Sequence, residues 1–478
     1  MKTSKNIVLV PGKFRVIHSG HVRLFRAALE LGDELVVALD VEGTTPEEIA
    51  WRTQALNSFG LVSSVVEYEN DISQLLRRIK PTRVLKGYEH SNKFNFEAEV
   101  LTEYGGELLF SSGSELSQES DFFLSEDEEI LNLQKTISLP LDFLTRNSIS
   151  REQLIHLIDK FNDIQVCVIG DLIVDEYISC RAIGMSQEEP TIVVTPVDSR
   201  RFLGGAGIVA AHCASLGAKT NLITVTGEDS LADWATHKVQ SYGLNIYSIR
   251  DAKRPTTLKQ RFRSGTQSLL RVSHLSQNYL DDRKNKQIID AYKSISSRID
   301  LLIFADFSYG VISVDTATQL IEIARENQTI VAADSQSSSQ VGKLSKFIGV
   351  DLVSATEHEA RLELQEKDLG LVALAEELSS FLKVENLLLK LGKAGVLLVG
   401  NEASQSRLPT EEIVSFNDHA TDVSGAGDSM LAAASLALAA GGNIYAAGFI
   451  GSLSASIQVG RTGNLPISSE LMRRILLK

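Results

Sequence analysis

The sequence predicts an α/β protein of two domains, and three observations carry that expectation. At 478 residues the chain exceeds what a single hydrophobic core ordinarily organises. Short β-branched runs alternate with amphipathic helical patterns along it. A strongly acidic stretch near residue 120 interrupts the alternation and separates an earlier block from a later one. Hydrophobic residues at 43% and charged residues at 23%, with 33 Gly and 9 Pro, are the usage of a folding globular chain.

The first block covers residues 1–113. Strands are expected at Ile7–Val10, Leu35–Leu39, Val62–Glu67, Val84–Leu85 and Glu107–Phe110, with helical patterns at Val22–Leu31 and Pro46–Phe59, the rhythm of a small doubly wound parallel sheet. Residues 114–149 are expected to be an acidic linker, because SELSQESDFFLSEDEEIL holds seven carboxylates and no Lys or Arg and like charges favour a solvated segment. The second domain is expected over 150–478. It opens on the helix SREQLIHLIDKF, where Ser150 and Gln153 fit a capping box. Strands follow at Val166–Ile169, Leu222–Val225, Leu301–Ala305, Ile330–Ala333, Leu352–Ser354, Leu387–Leu391 and Val396–Val399.

Charge and cysteine usage narrow the function. Lys and Arg total 47 against 61 Asp and Glu, a net charge of -14, which offers nothing to nucleic acid or an anionic membrane. Cys167, Cys180 and Cys213 are odd in number and lack C-x-x-C spacing, against a disulfide framework or a zinc site. The first apolar run stops at Val10 before a Pro-Gly pair, and the longest later one, Met430–Ala440, is far short of a bilayer span. A cytoplasmic protein is expected.

Two segments carry chemistry. In PGKFRVIHSGHVRL a strand runs into a Gly-containing turn, and His18 and His21 then open a helix. Backbone amides and the positive end of a helix favour a nucleoside triphosphate there, and paired imidazoles stabilise charge growing on a phosphate; two capping or packing histidines would read the same way. In DVSGAGD, Gly425, Ala426 and Gly427 allow backbone amides to approach a phosphate, and Asp428 stands where a carboxylate takes a proton from an attacking hydroxyl. A plain helix cap is the other reading.

The first segment resembles the cytidylyltransferase-like nucleotidyltransferases, whose signature G-x-F-D-x-x-H-x-G-H is matched at Gly12, Phe14, His18, Gly20 and His21. Lys86-Gly87 resembles that family's phosphate-contacting K-G pair, and Arg52 its helical arginine. Arg15 replaces the signature Asp, and SSGSELSQ has no clean counterpart of the late S-T-T triplet. The resemblance implies a Rossmann-like domain in which His18, His21 and Lys86 act on the triphosphate and Gly12, Phe14 and Arg52 bind nucleotide, CTP or ATP.

The later segment resembles the PfkB or ribokinase family of sugar kinases. DVSGAGD matches the signature D-T-x-G-A-G-D, Gly204-Gly205-Ala206 the glycine-rich signature, and Gly170, Asp171 and Asp175 the opening strand. The resemblance implies a ribokinase-like α/β domain with a small β lid, formed by residues 176–200, that often pairs two subunits. Asp428 is then the base, Gly425, Ala426 and Gly427 the anion hole, and Asp171, Asp175, Gly204 and Gly205 the sugar side. Lys390, Gly392 and Gly395 of KLGKAG are the nucleotide turn, and Glu359 is a residue toward Mg²⁺. Ile208 stands where the family has a sugar-contacting Asn, and Thr356 where it has the Asn of N-x-x-E.

The two halves together resemble bifunctional ADP-heptose synthases, with the domains in the opposite order. Implied are a homodimer and two reactions: ATP-dependent phosphorylation of a sugar or heptose phosphate, then nucleotidyl transfer. An alternative keeps the kinase and makes the first domain a degenerate module for nucleotide sensing or dimerisation.

Overall fold

The computed structural model describes residues 6–14, 19–58, 61–69, 71–87, 95, 97–111, 133, 136–186, 188–189, 191–264, 267–337, 342–400, 410–417 and 420–478. Two compact units are present, Met1–Ser125 and Glu126–Lys478.

The first unit is built on five strands: β1 (Ile7–Gly12), β2 (Glu34–Asp40), β3 (Ser64–Tyr68), β4 (Arg83–Gly87) and β5 (Glu107–Ser111). They form one parallel sheet in the order β3-β2-β1-β4-β5. Successive side chains of a strand point to opposite faces. Val8 and Val10 accordingly enter one core with Phe25 and Leu39, and Leu9 enters the other with Ala38 and Val84. The order reverses between β1 and β4, where doubly wound sheets open a crevice at their carboxyl ends.

The second unit carries a larger sheet and a smaller one. Its strands are β6 (Gln165–Gly170), β7 (Leu172–Met185), β8 (Ile192–Gly205), β9 (Lys219–Thr226), β10 (Asn245–Arg250), β11 (Thr257–Ser264) and β12 (Gln267–His274). Then follow β13 (Leu301–Asp306), β14 (Ile330–Ser335), β15 (Leu352–Thr356), β16 (Asn386–Lys390), β17 (Val396–Gly400) and β18 (Thr410–Ile413). The nine-stranded sheet runs β10-β9-β6-β13-β14-β15-β16-β17-β18. It is parallel as far as β16 and antiparallel beyond. LLIFAD of β13 is buried at every residue, as a central strand covered on both faces requires. Helices Ala206–Ser215, Ala426–Ala439 and Ile444–Val459 share one core, and Asp282–Lys293, Val314–Glu326 and Leu371–Leu382 the other.

The lid is a four-stranded sheet, β12-β11-β7-β8. It is larger than residues 176–200 imply, since β11 pairs in parallel with β7 and brings β12 with it.

The later part of the segment expected as a linker is folded, and residues 112–132 lie outside the described residues. Leu133, Ile137, Phe143 and Leu144 are buried in the core of the second unit, Ile137 bridges Asn417, and a short helix forms at Leu141–Arg146. Burial of these apolar side chains outweighs the acidity of the preceding stretch. Ser150 and Gln153 form the capping box at the start of Arg151–Asp159. Among the described residues no helix is long and apolar enough to cross a membrane.

Candidate active site

The carboxyl ends of the parallel strands in the second unit converge on one region, as the chain reversal between β6 and β13 dictates. Asp334 lies on β14, Lys390 ends β16, and helix Ala426–Ala439 packs against β13 and β14 with Asp428 in its first turn. Gly425 caps that helix at φ 78°, in the left-handed region that favours glycine. The amides of this first turn have no intrahelical partner and carry the positive end of the helix dipole.

Asp428 is buried. Burial first, and the charge of Asp334 next, push its carboxyl up to about 7 against the opposing pull of Lys390. Gln336, just past β14, donates from Nε2 to Asp428 Oδ1 at 2.9 Å. Lys390 Nζ meets Asp334 Oδ2 at 2.5 Å, and a Cβ placed on Gly427 would lie 3.4 Å from that Nζ. Burial works to lower the Lys390 pKa, but Asp334 outweighs it and holds the ammonium charged. A buried carboxyl with a raised pKa therefore stands beside the Lys390 ammonium and the amides that open the helix.

Asp175 projects from β7 and is buried, which raises its pKa against the opposing charges of Arg261 and Lys259. Gly204 of β8 passes so close that a Cβ there would sit 2.3 Å from Asp175 Oδ2 and would displace that carboxylate. The lid reaches the anion-hole loop at two points: Tyr177 donates to Asp422 Oδ2 at 3.0 Å, and Arg261 Nη1 to Ser424 Oγ at 2.5 Å. Lys259, Arg261 and Arg263 alternate along β11 and so share a face. Lys259 Nζ lies over the rings of Phe307 and Tyr309, and both guanidinium groups lie over Tyr177.

Asp171 and Glu359 are engaged by the chain itself. Asp171 accepts the amides of Phe307, Tyr309 and Val311 on its carboxylate at 2.8, 3.3 and 3.4 Å. It pins the loop after β13, and its backbone carbonyl takes the amide of Ala206 after Gly205. Glu359 spends both oxygens on the amides of Ser337 and Thr356, at 2.9 and 2.7 Å, as half of a capping box. Gly392 and Gly395 make the turn from β16 to β17. Asp306 is wholly buried against Lys346, at 2.7 Å.

In the first unit, His18 and Arg15 lie outside the described residues. Gly12 ends β1. Phe14, at φ 41°, packs its ring edge-on against His21 with centroids 4.9 Å apart, so it supports the histidine from the core. Arg52 is buried and turned onto the chain, donating to Lys13 O at 3.3 Å and Thr44 Oγ1 at 3.4 Å. Lys86 Nζ is held by Glu97 at 2.7 Å and by Asn95 at 2.9 Å.

Gln336, Asp334 and Arg261, which the fold brings to this region, were not singled out from the sequence. Only Arg261 had a legible signal, the alternation of cations in TLKQRFRS.

The pfkB carbohydrate kinase family matches residues 163–470. Bifunctional protein HldE of Helicobacter hepaticus is 29% identical over 319 residues, which cover 65% of this chain and 64% of that protein. HldE of Pseudomonas aeruginosa is 29% identical over 317 residues, with 66% and 64% covered. The chain thus spans less than two thirds of the length of these relatives. Among solved structures, ribokinase from Thermotoga maritima aligns with a TM-score of 0.51 at 23% identity, covering 66% of this chain and all of that one. Phosphofructokinase-2 from Escherichia coli, in complex with substrates and products, gives 0.54 at 17%, covering 66% and 98%. Both share the fold of the second unit. The family match takes in the lid, the central sheet and the GAGD helix, and by it the protein belongs to the pfkB family of carbohydrate kinases.

Proposed function

We propose that the chain phosphorylates a sugar phosphate with ATP in its second unit and transfers a nucleotidyl group to the resulting sugar 1-phosphate in its first, after the manner of ADP-heptose synthases. The observation that carries the kinase reading is the buried Asp428 at the mouth of the Gly425–Gly427 turn, its carboxyl raised to about 7.

Asp428 takes the proton of the acceptor hydroxyl as that oxygen bonds to the γ-phosphorus of ATP, and the bond to the bridging oxygen breaks to release ADP. The helix-end amides at Gly425, Ala426 and Gly427 hold the charge of the phosphoryl group in flight, and Lys390 adds a cation beside them. Asp175, next to Gly204 and Gly205, takes hydroxyls of the sugar.

The residues present fit Mg²⁺ by charge, although no group of three metal-ligating side chains occurs among the described residues. Asp334 Oδ1 is buried without a donor, and Asp334, Glu359 and Asp428 set three carboxylates around the single ammonium of Lys390. Asp334 would hold the ion, with Glu359 contributing charge and no ligand oxygen, since both its oxygens take backbone amides. When bound with ATP, Mg²⁺ supplies charge neutralisation on the phosphates.

The cations along β11 support an anionic acceptor such as a sugar phosphate. Exposed apolar residues on the lid, among them Ile183, Met185, Ile192, Val197 and Leu270, support pairing of two subunits through it. A second reading, in which the first unit does not transfer nucleotidyl groups, draws support from the Lys86–Glu97 pair, which cancels the charge a triphosphate would meet.

Phosphorus NMR tests both halves. With Mg²⁺, ATP, CTP and a panel of sugar phosphates, ADP and a new phosphate ester are expected, lost in Asp428→Asn. Pyrophosphate and a sugar nucleotide are expected as well, lost in Lys86→Ala and in His18→Ala/His21→Ala. Kinase product without pyrophosphate, even when sugar 1-phosphates are supplied, selects the second reading.

A further inference from the structure

Buried acceptors without donors are uncommon in folded proteins, and each one asks for a partner. The second unit holds two of them next to each other. Asp175 Oδ1 and Asn464 Oδ1 are both shut from water and both lack a hydrogen-bond donor.

Asn464 lies in the connection between helices Ile444–Val459 and Ser469–Leu476 and is 5% exposed. Its Nδ2 donates to Asp175 Oδ2 at 3.4 Å. That contact decides the orientation of the amide, since the reverse would set oxygen against carboxylate oxygen. Oδ1 is then turned toward Gly425, where a Cβ would approach it to 2.1 Å. Asn464 therefore spans the distance from the carboxylate under the lid to the glycine that opens the anion hole. Arg261 leaves this pair unsatisfied: its Nη2 stops 4.0 Å from Asp175 Oδ1, and its Nη1 is taken by Ser424.

We propose, on the strength of the kinase reading above, that Asn464 is a sugar-contacting residue: Asn464 Oδ1 and Asp175 Oδ1 accept from two hydroxyls of the acceptor sugar. Two acceptors on touching side chains, one charged and one neutral, match a polyhydroxyl ligand, which presents donors and brings no charge of its own at that edge. Nδ2 stays on Asp175 Oδ2 and keeps the two acceptors in register. Phe202 of β8 packs on Gly463, the neighbour of Asn464, so the lid borders this pair. A site built to bond a hydroxyl rejects a substrate that lacks it far more strongly than an apolar pocket can.

The test uses the full-length chain with ATP and Mg²⁺. Wild type is screened against heptose 7-phosphates, hexose 6-phosphates and free hexoses, and the best acceptor is compared with its deoxy analogues in wild type, Asn464→Leu and Asn464→Thr. In Asn464→Leu the sugar KM is expected to rise at least about tenfold while the KM for ATP moves less than about threefold. Wild type is expected to reject one deoxy analogue by about 30-fold or more and Asn464→Leu by less than about threefold, because the hydroxyl has lost its partner. Wild-type sugar KM and undiminished rejection of every deoxy analogue in both variants, with only a lowered unfolding temperature, would overturn the proposal and leave Asn464 a packing residue. Should Asn464→Leu fail to fold, Asn464→Thr decides by the same two readouts. Turnover of no sugar by wild type removes the kinase reading, and this inference falls with it.

Discussion

Gln336 donates from Nε2 to Asp428 Oδ1 at 2.9 Å, so the group proposed as base receives a hydrogen bond that favours its charged form. Such a donor lowers a carboxyl pKa, here against the burial and the Asp334 charge that raise it to about 7. The expected profile of kcat/KM rises with pH through about 7 and then levels off. Gln336→Leu is expected to move that limb upward by about half a unit to one unit, with the plateau little changed. A limb that stays in place would separate Gln336 from the base.

Asp428→Asn trades activity for stability. The folded pKa of Asp428, about 7, lies above the ordinary aspartate value of 3.8, so the folded protein retains a proton that the unfolded chain releases between those values. Stability falls as pH rises across that window, and the full cost is present above 7. The variant lacks this cost, so its unfolding temperature is expected to exceed that of wild type at pH 8 and to converge with it as the pH approaches 4. Its kcat is expected to drop about 10²- to 10⁴-fold. Calorimetry at several pH values, beside a coupled ADP assay, reads both.

Lys390 and Asp334 form a pair that should not be separated singly. Lys390→Met leaves a buried carboxylate without compensation, a loss expected at about 3–5 kcal/mol. Adding Asp334→Asn is expected to restore most of that stability and none of the turnover. Urea unfolding of the two single variants and the double variant supplies the stability cycle; an activity recovered along with stability would reduce Lys390 to a packing role.

Asp171→Ala is expected to unpin the loop after β13 and cost about 2–5 kcal/mol, since three backbone amides lose a charged acceptor. Whatever activity survives should keep its sugar KM within about twofold. A selective rise in that KM would return Asp171 to the sugar side.

The parallel sheets were legible because their strands are apolar runs separated by amphipathic helices: LLIFAD and IVAADS read as buried strands without any tertiary knowledge. The strands of the lid were legible only in part, since β11, TLKQRFRS, puts cations where a core strand would put Val or Leu. The Gly425 cap and the placement of Asp428 in the first helical turn were legible because the motif DVSGAGD is seven consecutive residues. Asp171 and Asp175 looked alike from sequence, and only the amides of Phe307, Tyr309 and Val311 tell them apart. Asn464 was invisible for the opposite reason. It reaches Asp175 across 289 positions, and nothing in GRTGNLPIS marks it.

Helix Arg151–Asp159 lies against helix Ser469–Leu476: Arg151 Nη1 donates to Leu476 O at 3.2 Å, and Arg473 pairs with Asp159 at 2.9 Å. Leu154 and Ile158 of the one and Met472, Ile475 and Leu476 of the other enter the same core. Segments 325 positions apart are thereby clasped together, so removing either helix would bare the apolar face of the other.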